Sequence, residues 1–179
     1  MPAETGAGPA VATSPARPGL PALRIGQGFD LHPFSDDPAR RLVLGGVEFP
    51  GERGLAGHSD ADVIAHAVTD ALLGAAGLGD IGQHFPDTDP ALAGADSIGM
   101  LGQAVADLRA AGWAPQNVDC TVVLEAPKLA PRRDAISERL SATVGAPVTV
   151  KGKRAEGLGS LGRSEGVACF AVALLVGAS

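Results

Sequence analysis

The chain has 179 residues, of which 45% are hydrophobic, and a formal net charge of −6. This length fits one domain with a substantial core, and the sequence contains no apolar run near the roughly 18 residues that a membrane-spanning helix needs. An acidic balance argues against a nucleic-acid groove, which requires a basic surface. We therefore predict a soluble, cytoplasmic protein that binds neither nucleic acid nor a membrane.

The charge is unevenly distributed along the chain. Residues 1–127 carry ten more acidic than basic side chains, whereas residues 128–179 carry four more basic than acidic ones. An acidic part that holds a cation, joined to a basic part, suits an anionic substrate bridged by a metal ion. Ordinary variation of surface charge explains the same asymmetry, so charge alone does not decide between these interpretations.

The first predicted elements follow a low-complexity segment. Residues 1–22 are nearly all Pro, Ala, Gly, Thr and Ser without periodicity, which predicts a disordered extension ahead of a single domain over 23–179. Strands are predicted at 23–30 and 41–49, the second with a bulge at Gly45-Gly46. A first helix follows, with Ser59 as its N-cap and its end near Gly77.

The rest of the chain predicts helices that alternate with single strands. In order, we predict a long loop at 78–95, a helix at 97–111, a strand at 118–124, a helix from Pro131 to about Thr143, a strand at 148–151, a glycine-rich segment at 152–166 and a last strand at 167–175. This order indicates an α/β or α+β sandwich with helices on one face of the sheet. Cys120 and Cys169 lie inside strand-like segments and are predicted to be core thiols.

Three residues suggest a metal site. Asp30 and His32 flank Leu31, so in a strand that continues past Asp30 both side chains leave the same face, and His66 on the first helix could supply a third ligand. Imidazole and carboxylate together suit an ion of the zinc class, and three protein ligands leave a position open. Alternatively, Asp30 caps a turn while both histidines are surface or core residues, and spacing alone does not decide.

Three further segments carry polar groups in turns. The aspartates within 79–90 either accept hydrogen bonds from a polyol or form Asx-turns. Lys128, close to Arg132 and Arg133, either contacts a phosphate or belongs to a solvated basic loop. The glycine-rich stretch 156–166 lets backbone amides approach an anion, but it lacks the spacing of a P-loop or a dinucleotide-binding loop.

Five ordered blocks together resemble the 2-C-methyl-D-erythritol 2,4-cyclodiphosphate synthase family of the non-mevalonate isoprenoid pathway. The resemblance covers about residue 24 to the C-terminus, and its blocks are 24–32, 58–63 with His66, 78–82 with 85–90, 126–128 and 162–166. Five blocks in order are far more specific than any one of them. A generic metallophosphoesterase, which would release inorganic phosphate, would require all five to coincide by chance.

The resemblance implies an α+β fold whose mixed sheets face the centre of a homotrimer, with active sites between neighbouring subunits. The implied reaction is attack of the 2-phosphate of 4-diphosphocytidyl-2-C-methyl-D-erythritol 2-phosphate on its β-phosphorus, which releases CMP. A zinc-type ion, with manganese or cobalt as alternatives, is implied at Asp30, His32 and His66. A magnesium ion on the diphosphate is implied near Glu156.

The resemblance also implies the substrate contacts. His58 and Arg154 are the candidate catalytic side chains, and the implied binding residues are Asp30, His32, His58, Ser59, Asp80, Ile81, Gly82, Phe85, Asp87, Asp89, Ala126, Pro127, Lys128, Lys153, Glu156 and Arg163. One stretch departs from the pattern, because Lys153-Arg154-Ala155 stands where many family members carry consecutive threonines. Either Arg154 replaces a hydroxyl with a charge-assisted phosphate contact, or the chain is a catalytically silent trimer that binds metal and nucleotide.

Overall fold

A computed structural model describes residues 21–178, so the predicted extension lies outside the described residues except for its last two. Among the described residues, no helix has both the length and the apolar character needed to cross a membrane. The strands are β1 (Leu23–Pro33), β2 (Val43–Leu44), β3 (Val47–Glu48), β4 (Trp113–Val123), β5 (Val148–Lys153) and β6 (Gly166–Gly177). The helices are α1 (Val63–Ala76), α2 (Ile81–His84), α3 (Ser97–Ala110), α4 (Arg133–Val144) and α5 (Gly159–Gly162), with a 3₁₀ turn at Pro90–Leu92.

The main sheet has four strands in the order β1-β6-β4-β5. Strand β6 is antiparallel to both β1 and β4, whereas β4 and β5 are parallel, so the sheet is mixed. Helix α1 packs on β1 and β6, α4 packs on β5, and α3 packs on both helices. These helices cover one face of the sheet, which confirms the predicted α+β class.

Two glycines on β1 let helix α1 lie directly against the strand. A Cβ atom added at Gly26 would lie 2.0 Å from the carbonyl oxygen of Ala71, and one at Gly28 would lie 2.0 Å from that of Ala67. No side chain fits between the two backbones at these positions. Asp30 lies two residues further along the same face of β1, so this close contact brings it beside the N-terminal part of α1.

The opposite face of the sheet carries exposed apolar side chains. The rings of Phe29 and Phe170, which are register partners on β1 and β6, stack with their centroids 4.8 Å apart. Six large apolar residues of these two strands are 45–74% exposed: Leu23, Ile25, Phe29, Leu31, Phe170 and Val172. An apolar patch of this kind is typical of a surface that contacts another molecule.

Two predictions near the first helix are wrong, and one carboxylate explains both. The segment 41–49 is a short hairpin of β2 and β3 with Gly45 and Gly46 in its turn, both at positive φ (59° and 72°), as a tight hairpin turn requires. The N-cap of α1 is Asp62, not Ser59. Asp62 is fully buried and accepts hydrogen bonds from the backbone N–H groups of Gly45, Gly46, Ile64 and Ala65.

Other element boundaries also differ from the prediction. The predicted loop at 78–95 contains α2, because the Asp80 carboxylate accepts the backbone N–H of Gln83 at 2.9 Å and starts a helical turn. Strand β4 begins at Trp113, where pairing with β6 extends it. Helix α4 begins at Arg133, two residues after Pro131. The two cysteines are buried and free, as predicted.

Candidate active site

The structure brings the three predicted metal ligands together. One ligand atom from each of Asp30, His32 and His66 lies within 4.8 Å of the other two. Asp30 Oδ2 lies 3.0 Å from Nδ1 of His66 and 3.2 Å from Nδ1 of His32. Both imidazoles therefore direct the same ring nitrogen at one carboxylate oxygen, across the contact between β1 and α1.

The donor atoms of this cluster fit a divalent cation. Within the part of the chain that the structure describes, the buried Nδ1 of His32 has no hydrogen-bond partner and makes only a 3.2 Å ion-pair contact with Asp30 Oδ2. The ring is held from the other side, since a Cβ atom at Gly57 would lie 2.9 Å from its Cδ2 atom. A buried imidazole nitrogen without a partner beside a carboxylate is what an ion of the zinc class would satisfy.

Electrostatics keep the carboxylate in its ligating form. Burial acts to raise the pKa of Asp30, but the contacts and charge of the neighbouring His32 and His66 imidazoles outweigh it and hold that pKa well below its usual range. Burial acts to lower the pKa of His32, and the contact with Asp30 reverses this, so that its pKa is raised. Asp30 is therefore ionised at neutral pH.

A cavity of about 470 Å³ opens beside the three ligands. Its lining includes six more of the predicted substrate-binding residues: His58, Ser59, Ile81, Gly82, Phe85 and Asp87. Two predicted residues support the wall instead. The Asp80 carboxylate caps α2, and the backbone carbonyl of Asp89 contacts His58 Nε2 at 2.9 Å. We call this cavity the metal pocket.

A second cavity of about 280 Å³ lies where β4 and β5 end, and we call it the cationic pocket. Of the predicted residues it includes Pro127, Lys128, Lys153 and Arg154. Three other predicted residues lie in neighbouring turns. Ala126 precedes Pro127 in a cis peptide bond, Glu156 has a positive φ of 52°, and Arg163 pairs with Glu165 at 2.7 Å.

Sequence reasoning missed Glu125, which organises the cationic pocket. Its Oε2 atom accepts hydrogen bonds from Nε and Nη2 of Arg154 at 2.8 and 2.7 Å, and its side chain is only 10% exposed. The Arg154 hydrogen bond holds the pKa of Glu125 below its usual range. Arg133 also lines the cavity. The only sequence signal was one acidic residue directly before the Ala-Pro-Lys turn.

The two pockets lie at the same end of the sheet but at opposite edges. His32 on β1 pairs with Val167 on β6. The next β6 residue, Ala168, pairs with Val123 of β4, and Val123 pairs with Lys153 of β5. Three strand spacings separate β1 from β5, or roughly 14 Å. Within one chain, the metal ligands and the cationic side chains are therefore well separated.

The fold and site define an α+β protein with a two-histidine, one-aspartate candidate metal centre and a separate cationic pocket. The chain belongs to the YgbB family, whose model matches residues 23–176. This confirms the resemblance drawn from the sequence. Its similarity to individual relatives is high and extends over nearly their whole length.

Two such relatives are named 2-C-methyl-D-erythritol 2,4-cyclodiphosphate synthase. One from Bordetella petrii is 58% identical over 160 residues, covering 88% of this chain and 98% of that protein. One from Burkholderia ambifaria is 56% identical over 157 residues, covering 86% and 96%. Among solved structures, the bifunctional IspDF of Campylobacter jejuni is 39% identical with a TM-score of 0.84, covering 88% of this chain and 43% of that one. The IspF–CDP complex of Plasmodium falciparum is 34% identical with a TM-score of 0.76, covering 88% and 97%.

Proposed function

We propose that this chain is a 2-C-methyl-D-erythritol 2,4-cyclodiphosphate synthase of the non-mevalonate isoprenoid pathway. It converts 4-diphosphocytidyl-2-C-methyl-D-erythritol 2-phosphate to the cyclic diphosphate and CMP. The observation that carries the proposal is the cluster of Asp30, His32 and His66 beside a cavity, in a chain that belongs to the YgbB family. The enzyme works in the cytoplasm.

The metal pocket holds the end of the substrate that carries the 2-phosphate. Asp30, His32 and His66 would hold a divalent ion, zinc first with manganese or cobalt as alternatives, and this ion would supply positive charge to phosphate oxygens. His58 Nε2 donates to the carbonyl of Asp89, because a carbonyl oxygen only accepts. This bond orients the His58 ring at the cavity wall, where it contacts the phosphate.

The polar residues around the metal pocket complete the binding of the sugar-like chain. Ser59, Ile81, Gly82 and Asp87 offer hydroxyl, backbone and carboxylate groups to its hydroxyls, and Phe85 closes the wall. Asp80 and Asp89 keep this wall in place through the contacts described above. The residues thereby restrict the substrate to a bent conformation, which brings its two reacting phosphates together.

The cationic pocket holds the cytidine diphosphate end. Ala126, Pro127 and Lys128 contact the nucleotide, and Lys153 lies beside the diphosphate. A second ion, magnesium, would be held near Glu156 and would offset the charge of the diphosphate, and Arg163 lies next to that turn. Support comes from the CDP-bound solved relative and from the cations that line this cavity.

Arg154 contacts the diphosphate in place of a threonine hydroxyl. Two of its five N–H groups face Glu125 Oε2, which leaves three for a phosphate. The guanidinium is thereby fixed on one edge and open on the other, a geometry that suits a charge-assisted contact. The catalytically silent alternative is not favoured, because the metal cluster and family membership are both retained.

To catalyse this reaction, the protein must position the two reacting phosphate groups and neutralise their negative charge. The attacking 2-phosphate is already ionised at neutral pH, so no strong general base is needed. Both reacting groups are anionic, and cationic side chains around them lower the barrier by offsetting charge in the transition state.

We propose that the chain works as a homotrimer with the sheets facing its centre. The exposed apolar face of β1 and β6 supports this, since burying Ile25, Phe29 and Phe170 against copies of the same face removes them from water. The separation of the two pockets supports active sites between neighbouring subunits. A metal pocket of one subunit then faces a cationic pocket of the next.

Turnover of the cytidyl substrate tests this function. The purified protein is incubated with that substrate, zinc and magnesium, and products are followed by phosphorus NMR. We expect CMP and a cyclic diphosphate, abolished by His32→Ala. Release of inorganic phosphate would instead indicate a phosphoesterase, and nucleotide binding without CMP would indicate the silent homologue.

A further inference from the structure

The imidazole of His66 is held on both of its nitrogens. Nδ1 faces Asp30 Oδ2 at 3.0 Å, within the metal-ligand cluster. On the far side of the ring, Nε2 lies 2.9 Å from Ser97 Oγ and 3.1 Å from Ser59 Oγ. Ser97 is fully buried at the start of α3. Its hydroxyl was not among the residues that the sequence indicated.

Asp60 determines the direction in which the Ser97 hydroxyl donates its proton. Ser97 Oγ donates to Asp60 Oδ1 in a short contact, and the Ser97 backbone N–H donates to Oδ2 at 3.2 Å. The backbone N–H of Asp62 donates to Oδ1 as well, at 3.1 Å. Both Asp60 oxygens act as acceptors in these contacts, so the single hydroxyl proton of Ser97 is committed to Asp60. Toward His66, Ser97 Oγ can therefore only accept.

Ser59 does not reverse this arrangement. Its Oγ accepts the backbone N–H of Ala61 at 3.2 Å and lies 3.4 Å from Ser97 Oγ, whose remaining lone pair can take the Ser59 proton. Ser97 is closer to Nε2 than Ser59 is, and its donor direction is already fixed. When Nδ1 of His66 binds a metal ion, the ring proton lies on Nε2, and Ser97 Oγ is placed to accept it.

We propose that Asp60 and Ser97 are positioning residues for the metal centre. They keep a proton on Nε2 of His66, so that the lone pair of Nδ1 is directed at the position that Asp30 and His32 share. Outer partners of this kind orient a ligating histidine and raise its basicity. The inference rests on the proposed function to the extent that the three ligands hold a metal ion.

Metal affinity of three variants tests the role of this chain of contacts. Zinc and cobalt(II) affinities are measured by competition with a chromophoric chelator, and folding is checked by thermal unfolding. Ser97→Ala removes the acceptor for Nε2, and affinity should fall by about 10–100-fold. The matched control is Ser141→Ala on α4, which removes a hydroxyl that accepts the backbone N–H of Val148 at 2.9 Å. The metal affinity of this variant should equal that of the unmodified protein.

Asp60→Asn separates tautomer control from packing. The isosteric amide replaces one acceptor oxygen with an N–H donor, which must face either Ser97 Oγ or the Ser97 backbone N–H. Either orientation disturbs the contact that fixes Ser97, so metal affinity should fall although the shape is kept. Unchanged affinity in both Ser97→Ala and Asp60→Asn would overturn the proposal. Failure of the unmodified protein to bind zinc would overturn the proposed metal centre itself.

Nitrogen chemical shifts of His66 give a second readout that does not depend on any variant folding. In the zinc-loaded, unmodified protein we expect a protonated Nε2 and a metal-bound Nδ1. Metal on Nε2, or a protonated Nδ1, would overturn the proposal.

Discussion

The metal pocket and the cationic pocket are built in different ways. In the metal pocket, Asp30 and His66 are fixed by the backbone contact of β1 with α1, and His66 is also held by a hydrogen bond to Ser97. In the cationic pocket, Arg154 is 65% exposed along its side chain and is held by Glu125 alone among the hydrogen bonds described. We therefore expect the metal pocket to be largely preformed and the side chains of the cationic pocket to become ordered when an anion binds.

Because of this difference, we expect substitutions in the two pockets to have different effects. A change in the metal pocket alters buried contacts, so it affects folding and metal binding together. A change at the exposed side chains of the cationic pocket affects nucleotide affinity with little effect on stability, because exposed ion pairs contribute little to folding. The predictions below test this contrast.

Removing a metal ligand should give the largest effect. In His66→Ala we expect metal affinity to fall by more than about 100-fold, because loss of an outer partner already costs 10–100-fold, and turnover should be lost with it. CMP affinity should not change, because the two pockets share no lining residue. Chelator competition and calorimetry with CMP measure the two quantities, and a parallel loss of CMP binding would contradict separate pockets.

A methyl group between β1 and α1 should be nearly as damaging. Gly28→Ala places a Cβ atom 2.0 Å from the carbonyl oxygen of Ala67, and we expect a loss of about 1–3 kcal/mol or more in the free energy of unfolding together with weaker metal binding. Gly74→Ala is the matched control, because its Cβ meets nothing within 4 Å on the exposed side of α1. It should stabilise by up to about 1 kcal/mol. Denaturant unfolding measures the stability of both variants. Equal changes in the free energy of unfolding for Gly28→Ala and Gly74→Ala would disprove the close contact of β1 with α1.

Loss of the Arg154 guanidinium should affect affinity and not folding. We expect Arg154→Ala to weaken CDP binding about tenfold, as the loss of a charge-assisted hydrogen bond does, with a smaller effect on CMP. The control is Arg53→Ala, which breaks an exposed pair with Asp36 outside both pockets. Calorimetry measures the affinity of each variant for the two nucleotides. An equal loss of affinity for CMP and CDP would show that Arg154 does not contact the second phosphate.

The pH dependence of the Glu125–Arg154 pair should give the smallest effect. The pKa of Glu125 is lowered from its ordinary 4.5, first by the hydrogen bond from Arg154. A lowered folded-state pKa means that the stabilisation is fully present above 4.5 and is lost as the pH falls through the folded value. The stability difference between the unmodified protein and Glu125→Gln should therefore be constant at neutral pH and shrink only in acid. A difference that changes near neutral pH would contradict this assignment.

The spacing of Asp30 and His32 on one strand face, with His66 on the helix that follows, suggested a metal site but did not decide it. The resemblance to the family assigned the three residues as ligands, and the structure brings them together although Asp30 and His66 are 36 positions apart. Ser97 and Glu125 carried no such signal, since they meet His66 and Arg154 only through contacts between residues 31 and 29 positions apart.

The errors near the first helix have a physical cause of the same kind. Both Ser59 and Asp62 are good N-caps by residue type. The choice depends on tertiary contacts, because Asp62 also accepts the N–H groups of the Gly45-Gly46 turn, while the Ser59 hydroxyl lies against His66. Propensity alone does not contain this information.

Mixing of two inactive variants tests most directly whether metal and cationic pockets of neighbouring subunits form one active site. His66→Ala lacks the metal half, and the double variant Lys128→Ala/Arg154→Ala lacks the cationic half. The two proteins are unfolded and refolded together, and CMP release is measured against each variant refolded alone. The account predicts that the mixture regains activity that neither variant has, because some interfaces combine two intact halves. Activity no higher than the sum of the separate variants would contradict it and place both halves of the site within one chain.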